Sequence, residues 1–242
     1  MNTVAHFFQG SISPLGSLSQ VGAEEVTRKL CEVFRVFGMP KELRLDNGQP
    51  WKWVQGIPSN MELFLVGYGV GCSFNKPHCP KENAKVERCN GTTQRWIEPA
   101  ECSTYKQIQR RLNRSAYVHL NNYPLGNGQT RTEKYKKLTK NKRQFSKDNF
   151  SLPAVQKFLE ERIRHTRMVE NSGTIRWYGG RLQVGCQYAK RHVIVTYNAQ
   201  ENSWVISDES GKQIKSFSAI EITQERVLSF SVSKNFEKSR SV

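Results

Sequence analysis

Pro80-Lys81-Glu82-Asn83-Ala84-Lys85-Val86-Glu87-Arg88-Cys89-Asn90, read with Leu45-Asp46-Asn47-Gly48 about forty residues upstream, decides how the rest of the chain is read. Leu43 to Leu45 has the composition of a short strand, and Asn47-Gly48 forces a turn after it, which puts Asp46 at the strand's carboxyl end. Pro80 and Asn83 open a helix whose apolar stripe is Val86, Cys89, Thr93 and Trp96 or Ile97. Glu87 lies beside that stripe, near the helix start. Carboxylates from two elements are hard oxygen ligands of the kind that divalent Mg²⁺ or Mn²⁺ prefers.

The totals narrow the class of partner. Lys plus Arg number 37 against 21 Asp plus Glu, a formal net charge of +16 spread along 242 residues. Such an excess points to a polyanion, and nucleic acid fits better than a membrane because no apolar run approaches the roughly 18 residues of a spanning helix. The first residues lack a basic segment followed by an apolar run and cleavage site, so no secretory signal is read. The six cysteines, at 31, 72, 79, 89, 102 and 186, form no C-x-x-C pair. A zinc finger and a disulfide framework are both disfavoured, and a reducing cytoplasm is the expected compartment. His78 and Cys79 lack partner ligands at a metal-binding spacing and are read as loop residues.

Outward from the central stretch, strands and helices alternate. Thr3 to Gln9 and Ser11 to Leu18 read as a hairpin. Ala23 to Phe37 reads as an amphipathic helix with Val26, Leu30, Val33, Phe34 and Phe37 on its apolar face, ended by Gly38 and Pro40. Ser59-x-x-Glu62 is a capping box for a short helix carrying Leu63, Leu65 and Val66, and Gly69 to Phe74 follows as a strand. A second long helix is expected from Thr104 to Asn121, with Ile108, Leu112, Tyr117 and Leu120 facing the core and Lys106, Arg110, Arg111 and Arg114 outside. Gly91, in the middle of the Glu87 helix, costs about 1 kcal/mol relative to Ala and hints at close approach of something such as a DNA backbone.

The joint pattern Phe37-Gly38-Met39-Pro40, Leu45-Asp46-Asn47-Gly48, Pro77 with Pro80, and Asn83-Ala84-Lys85-Val86-Glu87-Arg88 with Asn90 resembles the integrase core of retroviral integrases and of insertion-sequence transposases, from about Thr3 to Leu138. The resemblance implies an α/β ribonuclease H-like core, a mixed sheet with flanking helices. It also implies metal-dependent DNA cleavage and strand transfer, two Mg²⁺ or Mn²⁺ ions, and three carboxylates. Asp46 matches the second Asp and Glu87 the Glu, with Asn47 and Asn90 supporting them. Lys85, Arg88, Arg95, Lys136, Lys137, Lys140, Lys142 and Arg143 are the expected DNA contacts.

The family's first catalytic Asp has no counterpart, because residues 1–45 contain no Asp. Glu24 and Glu25 begin a helix, where acids favour the dipole. The expectation is therefore an N-terminally truncated transposase whose first, central strand is missing. Such a chain would do no strand transfer alone, and would form a homo-oligomer or co-assemble with a full-length transposase on DNA. The alternative is a catalytically inactive remnant acting as a nucleic-acid-binding or regulatory protein.

The expected domains are a core at 1–138, a basic linker and helix at 139–170, a small β-barrel at 171–225 and a tail at 226–242. From Lys136 to Lys147 the chain is basic and poor in apolar residues, as a linker tracking phosphates would be. Gly173 to Gly179, Leu182 to Tyr188, His192 to Tyr197, Ser203 to Asp208 and Gln213 to Ile222 are short β-branched and aromatic runs with turn signals between them. They resemble the SH3-like barrel that follows the core in Mu-type transposases.

Overall fold

The computed structural model describes residues 23–45, 57–76, 80–136, 143–178 and 180–232; the side chains of 23–25, 80–83, 85 and 86 lie outside that description. The hairpin expected over Thr3 to Leu18 falls outside the described residues. The chain is a mixed α/β fold dividing into two compact units, Met1–Gly48 with Val70–Lys147 and Gln49–Gly69 with Asp148–Val242. Among the described residues no helix is long and apolar enough to cross a membrane.

In the first unit, α1 (Ala23–Phe37) buries Val26, Leu30 and Phe34, which recur at helical spacing. Its end is set by Gly38, whose φ of 75° few other residues adopt and whose N–H donates to the Phe34 carbonyl at 2.8 Å. Strand β1 (Glu42–Leu45) alternates exposed and buried, so Leu43 and Leu45 point inward. It runs parallel to β2 (Gly71–Phe74), in register from Glu42↔Gly71 to Leu45↔Phe74. Helices α3 (Pro80–Ile97), α4 (Tyr105–Asn121) and the single turn α5 (Arg131–Lys134) complete this unit, α4 packing on both others. Thr130 and Glu133 cap α5 reciprocally, the Thr130 N–H donating to the Glu133 carboxylate at 2.7 Å.

The stretch expected as an open linker is partly docked. Residues 137–142 lie outside the described residues, but the Met39 N–H donates to the Arg143 carbonyl at 2.7 Å, and the Phe145 ring lies 6.2 Å from Phe34 and 5.4 Å from the Arg35 guanidinium. An aromatic residue beside an apolar helix face gains more by packing than by solvation.

Helix α2 (Asn60–Gly67), expected as part of the core, belongs to the second unit. Ser59 caps it by accepting from the Glu62 N–H at 3.2 Å, the Ser59 half of the capping box expected from the sequence. Met61, Glu62, Leu63, Phe64, Leu65 and Gly67 are all buried, and a helix buried on nearly every side must be covered all round. Helices α6 (Leu152–Arg162) and α7 (Gln224–Leu228) supply that cover. A Cβ on Gly67 would run into the Phe150 ring, so only glycine permits the contact there.

Six strands follow α6: β3 (Arg164–Met168), β4 (Thr174–Trp177), β5 (Gly180–Gln183), β6 (His192–Asn198), β7 (Ser203–Ser207) and β8 (Gln213–Ser218). They form an antiparallel sheet in the order β3-β6-β7-β8 and a β4-β5 hairpin, with no hydrogen-bonded closure of one onto the other among the described residues.

The structure departs from the sequence-based expectation at three places in this unit. The basic linker and helix expected over 139–170 also contain a strand: α6 stops at Arg162, and β3, missed because Arg164-His165-Thr166-Arg167-Met168 shows no β-branched run, pairs along β6. Cys186 to Tyr188 forms a 3₁₀ turn rather than extending the second strand. The tail expected from 226 is packed as far as Val232, with Val227, Phe230 and Val232 buried and the Asn60 side chain donating to the Phe230 carbonyl at 2.8 Å. Residues 233–242 lie outside the described residues.

Candidate functional site

In α/β sheets, ligands gather beyond the carboxyl ends of parallel strands. The β1–β2 pair ends at Leu45 and Phe74, where the Asn75 N–H donates to the Leu45 carbonyl at 2.9 Å and the Arg44 Nε donates to Asn75 Oδ1 at 2.9 Å. Those bonds pin both strands at the edge that the chain leaves to continue into Asp46. Asp46 and Asn47 themselves lie outside the described residues, as do Lys137, Lys140 and Lys142 and the side chain of Lys85.

On α3, Cys89 and Ile97 are buried, whereas Glu87 and Arg88 are exposed and Asn90 is half-buried. Burial pushes the Cys89 thiol pKa up, so it is a core residue rather than a nucleophile. Arg95 is exposed in the last turn. Lys136 is exposed and engaged with other groups. Arg143 is half-buried, and its guanidinium donates to the Pro40 carbonyl at 2.7 Å, so it anchors the chain after α1.

The described residues bring Glu87, Arg88 and Asn90 together on one helix. They do not assemble a metal centre: no group of three His, Cys, Asp or Glu side chains among them could hold an ion. Of the two expected carboxylate ligands only Glu87 is among the described residues. No protein-family model matches the chain.

Gly91 has open space where a Cβ would stand, so packing within the described chain does not demand glycine. Gly91→Ala is expected to raise stability by about 1 kcal/mol, the helix-propensity difference. If a nucleic-acid backbone approaches there, the same change weakens binding. Paired thermal melts and binding titrations read the two effects, and a destabilised variant would contradict the open-space geometry.

Sequence reasoning missed two features of this surface. Arg111, read as one of a row of solvated cations, donates to the last α3 carbonyl, Ile97 O, at 2.9 Å and pairs with Glu98 and Glu101 at 3.2 and 3.3 Å. The signal was present in the acids at 98 and 101, but only the α3–α4 packing brings them to Arg111. Tyr117, expected in the core, is exposed, and Ser115 is the buried residue of α4.

Proposed function

We propose that this chain is a nucleic-acid-acting protein of the integrase-type transposase group, with Asp46 and Glu87 as carboxylates of a site for Mg²⁺ or Mn²⁺. The observation that carries the reading is the parallel β1–β2 pair, ending one residue before Asp46, in a unit whose helix α3 exposes Glu87 beside Arg88 and Asn90. Within the first unit, α1, β1, the parallel β2 and α3 follow one another in the order of a ribonuclease H-like core, and the short antiparallel strands of the second unit support the reading of an SH3-like module. Two carboxylates are fewer than the three that two-ion phosphoryl transfer uses in that family, and residues 1–45 hold no Asp to add. That deficit favours a second reading, in which this chain binds DNA without cutting it.

One experiment separates the readings. DNA binding is measured across a salt series, and DNA nicking and strand transfer are assayed with Mn²⁺ for the wild type and Glu87→Gln. We expect affinity to fall steeply with salt, by roughly one log unit per log unit of salt for each neutralised phosphate. Strand transfer is expected to be absent from this chain alone. Metal-dependent transfer lost in Glu87→Gln would overturn the non-catalytic reading and require a further carboxylate, whereas salt-independent or absent binding would remove nucleic acid as the partner.

A further inference from the structure

Helix α4 contains no acidic residue. At 3.6 residues per turn, about 100° each, Lys106, Arg110, Asn113, Arg114 and Tyr117 fall within one face of about 100°, and all five are exposed. Ser115, on the opposite side, is buried. The acids nearest in sequence, Glu98 and Glu101, are both held by Arg111 on the flank. Lys106, Arg110 and Arg114 consequently make no ion pair with any described residue.

Tyr117 stands amid these cations with 64% of its surface in water, more than the other exposed tyrosines, Tyr105, Tyr123 and Tyr135. Its backbone carbonyl accepts from the Asn121 side chain at 3.0 Å, and no ring or hydroxyl contact restrains the side chain among the described residues. Beside the face, the Tyr105 hydroxyl donates to Gln109 Oε1 at 3.3 Å and Gln109 Nε2 donates to Asn113 Oδ1 at 2.9 Å, a ladder that keeps this flank polar.

We propose that the outer face of α4 binds single-stranded nucleic acid, with Lys106, Arg110 and Arg114 on successive phosphates and the Tyr117 ring stacked on a base. Cations four residues apart rise by about 6 Å per step along the helix and can follow a backbone laid along it. A duplex offers phosphates to such a row but hides the faces of its bases, so an exposed ring among the cations gains only from an unpaired strand. The face carries no large aliphatic side chain to insert into a lipid surface.

The inference deepens the nucleic-acid reading above and rests on it. Fluorescence anisotropy of the full chain is measured over a salt series with a thymidine oligonucleotide of about 20 nucleotides and with a duplex of the same length. Replacing Lys106, Arg110 and Arg114 together by Gln, a good helix former at exposed positions, leaves the circular dichroism spectrum unchanged. It is expected to lower the single-strand salt slope by about 2, from about 0.7 per lost contact. Tyr117→Ala weakens single-strand binding about tenfold and duplex binding by less than about twofold. If the wild type binds but these variants match it, while Arg88→Gln with Arg95→Gln on α3 binds less, the inference fails and the nucleic-acid reading stands. Equal losses on both nucleic acids with a silent Tyr117→Ala overturn the single-strand assignment. A wild type that binds neither removes both.

Discussion

Trp204→Ala is expected to lower the stability of the second unit by about 3–5 kcal/mol, the range for deleting a large buried aromatic side chain. Trp204 is fully buried, with ring centroids 5.3 Å from Trp177, 5.3 Å from Tyr178 and 4.9 Å from Tyr197. Truncation leaves a hole among three rings that belong to different strands or turns and cannot all close upon it. It also removes the indole N–H that donates to Glu221 Oε1 at 2.8 Å, stripping a donor from a carboxylate with no exposed surface. Against a typical domain stability of about 5–15 kcal/mol, the loss takes a large share. The second unit's thermal transition should fall on the order of 10–20 °C. Trp96 of the first unit supplies a separate fluorescence signal, and Trp204→Phe, which keeps most of the packing, should lie between. A loss below about 1 kcal/mol would show that this ring cluster is not what the second unit is built on.

Tyr178→Phe should act in the opposite direction to most core substitutions. The Tyr178 hydroxyl is buried with no hydrogen-bond partner among the described residues, and its backbone φ of 44° is one that Phe would share. Removing an unsatisfied buried hydroxyl is expected to stabilise the second unit by about 1 kcal/mol at neutral pH. The larger effect is at alkaline pH. Burial, reinforced by the negative charges of Glu221 and Glu62, holds the Tyr178 pKa well above the ordinary tyrosine range. Burial pushes Tyr197 up to about 12, aided by Glu221 and Glu160 and opposed by a hydrogen bond with Gln156.

A raised tyrosine pKa contributes stability that is fully present below the unfolded value, about 10, and is lost as pH rises toward and through the folded value. Above about pH 10 the unfolded chain has released protons that the folded one still holds, so stability falls with pH. Urea melts of the full chain between pH 8 and 12 should show this decline in the second unit, with a shallower slope for Tyr178→Phe. An unchanged slope, or a variant less stable at neutral pH, would contradict the buried, unpartnered hydroxyl.

Local chemistry was enough to predict much of the secondary structure. The apolar spacing of Val26, Leu30 and Phe34 and the stop at Gly38 predict α1, and Ser59 and Thr104 predict the starts of α2 and α4, where each accepts a backbone N–H. Those signals lie within a few residues of one another. The same holds for most of the strands from Thr174 to Ser218, whose β-branched and aromatic runs stand between turn residues.

What depends on distant partners was not legible. Strand β3 is polar in sequence and becomes a strand because β6 offers it an edge, and α2 joins the second unit because a predominantly apolar helix needs cover that α6 and α7 provide. Tyr117 looks like a core residue by its type, yet packing turns the Ser115 side of α4 inward and leaves Tyr117 among the cations. Sequence by itself determined where carboxylates and cations occur and which helices carry them. Tertiary structure decided which cations are consumed by carbonyls and acids, as Arg111 and Arg143 are, and which stay open to a ligand. The reason is range: caps and periodicity act within one or two turns, whereas burial and ion pairing depend on which element the fold lays alongside.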